Sequence, residues 1–290
     1  SETWMRLPSI VTAALPAGLL FATAAAAQIA VSANDGKVKL VDGVVHVQKD
    51  GRDYVSVIDL SATPPRIIAE IEASTSESGP PTSVAVGPKE DFAIVTAARK
   101  ADPADPTRLV ADDKVTVIDL AREAPGLVGK LKAAAGLSKP VAGKQPSVIA
   151  TLAAGKGASG VSINKPGTLV LVANRDEGTV SVFAIEGKTL KPAGKVDLRA
   201  PACGPSHVVF TGDGKSALVT RDNDHKISIL SIDGAKVAYT GRDMSAGLRP
   251  YGIDITAKGD VAVVANIGAG QGDLDTVSLI DMKASPPRVV

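Results

Sequence analysis

Two of the three histidines in this sequence, His207 and His225, fall within GPSHVVFTGDGKSALVTRDNDHKISIL, from Gly204 to Leu230, which also carries the cluster Arg221-Asp222-Asn223-Asp224-His225. A neutral imidazole serves as general base or metal ligand, and carboxylates serve as ligands or as acid and base. Guanidinium groups hold carboxylates, phosphates or a polarised carbonyl. The same cluster also reads as a solvated turn, because Asp and Asn tolerate turn geometry and hydrogen-bond their own backbone. The choice between these readings depends on which element carries each residue, and so on what the stretch repeats.

From Gln28 onward, short β-branched runs with period-two alternation are separated by Gly, Pro and Asp turns. Four segments align: PTSVAVGPKEDFAIVTAA from Pro81, ASGVSINKPGTLVLVANR from Ala158, PSHVVFTGDGKSALVTRD from Pro205 and PYGIDITAKGDVAVVANI from Pro250. Each reads as a hairpin followed by a third run, at Val115, Val180, Ile227 and Val277, and then by a fourth. Val161 to Val208 spans 47 positions and Val208 to Ile253 spans 45. Four strands per repeat of this length is the pattern of β-propeller blades. The 77 positions from Val84 to Val161 contain two insertions, KADPADPTRLVADD and a stretch from about Glu123 to Gln145, with an outer strand expected at Ser147 to Ala153. The first blade shows only its second, third and fourth strands, at Ile29, Asp53 and Pro65. The expected fold is therefore all-β, a propeller with about five blades visible. The chain stops at Val290 inside an outer strand, so it is expected to be a fragment lacking a closing strand and about two blades.

The 290 residues are 44% hydrophobic and 22% charged, which suits a packed core, and the formal charge of +1 gives no bulk attraction to nucleic acid or anionic membranes. Aromatics are only 3%, which argues against stacked-ring binding grooves. Met5-Arg6, the apolar run Ile10 to Ala22 and Ala25-Ala26-Ala27 have the three parts of an export signal, with Ser1 to Trp4 preceding its start. The alternative is a buried N-terminal helix. Residues 1–27 are thus assigned to a signal peptide and 28–290 to one propeller domain, periplasmic or secreted, with no transmembrane segment after cleavage. The single cysteine, Cys203, has no intramolecular partner, so packing must supply the stability.

In an up-and-down blade, the loop leading into the first strand and the loop joining the second and third strands share one rim of the channel. The lead-in loops bring Ser83, Ser159, His207, Arg249 and Tyr251 to that rim. The second-to-third loops bring Arg99, Arg175, Asp176, Arg221, Asp222, Asp224, His225, Asp273 and Asp275. Short turns such as Lys165-Pro166-Gly167 occupy the opposite rim. His207 stands where other repeats have Ser83, Gly160 and Gly252, and reads either as general base or ligand, or as a satisfied core histidine. Arg175 and Arg221, at near-equivalent points of adjacent repeats, read either as converging on an anion or carbonyl, or as paired with Asp176 and Asp222. GKGASG from Gly155 joins two strands rather than opening a helix, and Gly214-Lys215-Ser216 lacks the upstream glycine of a phosphate loop. There is no H-E-x-x-H, G-x-S-x-G or Cys-x-x-Cys-His pattern. No cofactor is expected. Asp273 and Asp275 are weak candidates for a divalent metal, without EF-hand spacing.

The pattern P-x-x-V-x-hydrophobic-x-P-x-G-x-x-hydrophobic-V-x-A-N followed by G-T-V-S-V, closest in Ala158 to Phe183, resembles the YVTN-type, lactonase-like seven-bladed propellers of exported bacterial proteins. The resemblance covers Gln28 to Val290 and departs at the ADPADP insertion and at the C-terminus. It implies a fold more than a function, since such proteins include lactonases and surface-associated proteins. The reading placed first is a monomeric module that binds a small molecule or an envelope protein through the loop-rich rim. The second is a lactonase, with His207 activating water, Arg175 or Arg221 stabilising the oxyanion, and a metal on Asp222 or Asp224 as a sub-case. The third is a surface-layer or adhesion module.

Overall fold

The computed structural model describes residues 28–42, 44–48, 50–76, 82–121, 144–270 and 272–290. The expected signal segment, and nearly all of the insertion expected from about Glu123, lie outside the described residues. The first blade contains β1 (Ile29–Asn34), a small ribbon of β2 (Val38–Val41) and β3 (Val44–Val47), then β4 (Tyr54–Asp59) and β5 (Arg66–Glu72). The second is β6 (Val84–Val86), β7 (Phe92–Ala101), β8 (Leu109–Asp119) and β9 (Ser147–Ala153). The third is β10 (Ala158–Ile163), β11 (Leu169–Asn174), β12 (Thr179–Glu186) and β13 (Thr189–Asp197). The fourth is β14 (Pro205–Phe210), β15 (Ser216–Arg221), β16 (Lys226–Asp233) and β17 (Lys236–Ser245). The fifth is β18 (Pro250–Ile255), β19 (Val261–Asn266), β20 (Thr276–Asp281) and β21 (Arg288–Val289).

Blades two to five are four-stranded antiparallel sheets in sequential order, and blade one is the three-stranded sheet β1-β4-β5. The chain is thus an all-β propeller, and among the described residues there is no helix. The ADPADP insertion does not interrupt blade two. It lengthens β7 and β8 into a ribbon whose pairing runs out to Ala101 and Leu109. The ribbon β2-β3 follows from the valine-rich alternation on either side of Asp42-Gly43, and it projects from blade one at the same loop position.

The core lies between blades. Strand β11 is buried at every position, because one face packs against blade two and the other against blade four. Side-chain hydroxyls join the layers: Thr96 Oγ1 donates to the Ser159 carbonyl, and Thr220 Oγ1 donates to the Tyr251 carbonyl at 2.7 Å. The turns between first and second strands close with bonds from Gly167, Gly214 and Gly259 to the carbonyls three residues earlier. Those glycines have φ of 70°, 68° and 71°, a region that side chains disfavour.

Candidate functional site

In blades three to five the lead-in loop and the second-to-third loop are bonded to each other and so lie on one rim. The amide of Arg175 donates to the Gly157 carbonyl, that of Asp222 to Gly204, and that of Ile267 to Arg249. On the first strands, a register irregularity recurs between Ala158 and Val161, Pro205 and Val208, and Pro250 and Ile253. It sets Ser159, Ser206 and Tyr251 at one repeat position and Gly160, His207 and Gly252 at the next.

The end of the second strand is a polar corner in every blade but the second, which has Ala97 there. Asn174 Nδ2 donates to Thr179 Oγ1 and Ser181 Oγ, Asn266 Nδ2 donates to Thr276 Oγ1 and Ser278 Oγ, and Asn34 Nδ2 donates to Ser56 Oγ. Blade four has Arg221 in this corner, donating to Ser228 Oγ at 3.1 Å and paired with Asp224 and Asp243. Burial opposes its charge, but its bonds to the Asp224 carboxylate and the nearby Asp243 outweigh that and raise its pKa. The equivalence expected between Arg175 and Arg221 is therefore corrected by one position: the counterpart of Arg175 is Asp222. Arg221 is a buried guanidinium that fills an asparagine's place, neutralised within its own blade as a buried charge must be.

What converges instead is a chain of ion pairs across blades. Arg99 of blade two pairs with Asp176 of blade three. Arg175 of blade three donates to Asp222 Oδ2 and to Ser206 Oγ, both at 2.5 Å. Arg249, leading into blade five, reaches the same Asp222 oxygen at 3.1 Å. The guanidinium of Arg175 lies 5.5 Å from the centroid of the Tyr251 ring. The Tyr251 phenol is raised in pKa, first by burial and then by Asp222, against the opposing pull of Arg175, Arg249 and Arg99. Three guanidiniums and one carboxylate thus act on one phenol. Asp222 is fully buried, whereas Asp176 and Arg249 face solvent in part.

The His207 ring bonds elsewhere, although Ser206 beside it belongs to this cluster. Its Nδ1 accepts the Ile253 amide at 3.1 Å, which joins blade four to blade five, and burial lowers its pKa to about 4. It has the partner of a satisfied core histidine. His225, at φ 58°, takes the turn position of Gly178, and its Nδ1 accepts the Arg249 amide at 3.0 Å. Ser83 and Ser159 lend backbone carbonyls to Thr96, and the Ser159 hydroxyl is buried without a hydrogen-bond partner. Asp273 Oδ2 accepts the Ala269 amide at 2.6 Å, and among the described residues no group of three His, Cys, Asp or Glu side chains is placed to hold a metal. Asp222 and Asp224, the other metal candidates, are occupied by arginine. Ser206 and Asp243 are site residues not expected from the sequence. For Ser206 the signal was its repeat position, which it shares with Ser159.

Fold and rim together define a β-propeller with an arginine and carboxylate cluster on its loop-rich rim. No family profile matches the sequence, and no curated protein does. Among solved structures the chain is similar to a functionally unknown protein from Desulfotomaculum acetoxidans, at 18% identity over 85% of this chain and 65% of that one, with a TM-score of 0.57. It is similar to hydrazine synthase of Kuenenia stuttgartiensis, at 18% identity over 88% and 62% of the two chains, with a TM-score of 0.55. It is also similar to a periplasmic gluconolactonase of Pseudomonas aeruginosa, at 17% identity over 82% and 62%, with a TM-score of 0.54. The likeness is one of fold, and the chain spans less than two thirds of the length of each of these structures. Among the described residues no helix is long and apolar enough to cross a membrane.

Proposed function

We propose that the chain is the binding propeller of an exported protein and that its rim holds a small anionic molecule of the sugar-acid class. The observation that carries this reading is the gathering of Arg99, Arg175 and Arg249 around Tyr251. Guanidinium forks match carboxylates and phosphates, and Asp222 supplies a fixed, buried counter-charge that holds two of the forks in place. Export rests on the signal-like residues 1–27 and on the periplasmic gluconolactonase among the similar structures. Calorimetric titration with gluconate tests the reading. Arg175→Ala is expected to weaken binding tenfold or more, about 1.4 kcal/mol, while glucose binds poorly at best. Equal binding by wild type and Arg175→Ala rejects it.

The likeness to gluconolactonase supports a second reading, lactone hydrolysis at the same rim. Arg175 and Arg249 would polarise the ring carbonyl. His207 does not suit the role of base, because its Nδ1 is taken by Ile253 and its lowered pKa makes it a weak one. Gluconolactone turnover above the spontaneous rate that is lost in Arg175→Ala would decide for hydrolysis.

A further inference from the structure

A groove of about 670 Å³ opens between blades four and five on the face opposite the arginine rim, well within the usual size of small-molecule sites. Two features make it. The turns at Gly212 and Gly259 meet there without side chains. The turn that leads into the outer strand of blade five supplies Ala284 and Pro287 as a wall. The groove is lined by the apolar Leu218, Ile229 and Met282 and by the exposed cations Arg242 and Lys258.

The charge in this groove is not balanced locally. Among the described residues neither Arg242 nor Lys258 forms an ion pair, although other cations nearby do, as Lys283 does with Asp260. The carboxylate in the groove wall, Asp213, is already committed to its own turn. It accepts from Thr211 Oγ1 at 2.6 Å and from the Lys215 amide at 3.0 Å. An apolar surface beside two uncommitted cations is complementary to a molecule with an apolar body and an anionic end.

We propose that this groove binds a small amphipathic carboxylate, with its alkyl chain against Ile229 and Met282 and its carboxylate between Arg242 and Lys258. The site is independent of the arginine rim, since it uses the opposite ends of the strands and none of the same residues.

Methionine-methyl NMR gives a local readout, because the chain has three methionines and only Met282 lines the groove. Octanoate is expected to shift the Met282 methyl resonance saturably, with 1-octanol at least about tenfold weaker. The double substitution Arg242→Ala, Lys258→Ala is expected to weaken octanoate by about tenfold or more, and Arg175→Ala to leave it unchanged. Absence of a saturable Met282 shift, octanol binding as well as octanoate, or loss of the shift in Arg175→Ala would each overturn the proposal.

Discussion

In blade four, Leu218 and Ile227 are 1% and 0% exposed, because Ile253, Ala262, Val264 and Ile280 of blade five lie against them. In blade five the residues at the same cross-strand positions are Val263 and Val277, and they are 41% and 66% exposed. Leu171 and Val180 of blade three, again at these positions, are fully buried. The three faces carry the same kind of side chain in the same register. Burial in a propeller is therefore a property of the pair of blades: the same apolar pattern is buried in blades three and four by the blade that follows each.

That comparison can be tested by paired substitutions. Ile227→Ala should cost about 3 kcal/mol by chemical denaturation, the usual range for emptying a packed site. The covered interface should also respond to acid. His207 has a folded pKa near 4 against 6.5 unfolded, so the unfolded chain takes up a proton first as pH falls through that window. Stability should drop by about 2 kcal/mol between pH 7 and pH 5, and His207→Gln should flatten the drop. An unchanged slope in that variant assigns the acid sensitivity elsewhere. Thr220→Ala, which removes the hydroxyl bond to the Tyr251 carbonyl, should cost about 1 kcal/mol. Blade five already has Ala265 at that position. Val277→Ala on the open face should stay within about 0.5 kcal/mol, as surface changes do. A cost matching that of Ile227→Ala would mean that the open face is covered in solution.

Much of the fold was legible because strands of alternating apolar residues between Gly and Asp turns leave a period, and the period repeats. The outer strand at Ser147 to Ala153 and the incomplete first blade were readable on that basis. The rim itself was also readable, since it follows from loop order alone. The partners on it were not. Arg175 and Arg221 look equivalent along the sequence, but strand pairing sets Arg221 opposite Lys226 as Asn174 is set opposite Thr179, and a shift of one residue turns a side chain to the other face. The pairing of Arg175 with Asp222, and of His207 with Ile253, crosses between blades. Those contacts depend on the stagger of one sheet against the next, which leaves no trace in either repeat. The β2-β3 ribbon was missed for a simpler reason: its valines have no counterpart in the other repeats.

Tyr251 carries a practical consequence. The single tryptophan is Trp4, so in residues 28–290 only Tyr54, Tyr239 and Tyr251 absorb beyond the weak phenylalanine bands of the near ultraviolet. One of these three phenols lies under the guanidinium of Arg175. Any molecule that draws Arg175 aside changes the field on that ring, and the protein's own absorbance difference spectrum then reports whether the rim is filled, with no label attached.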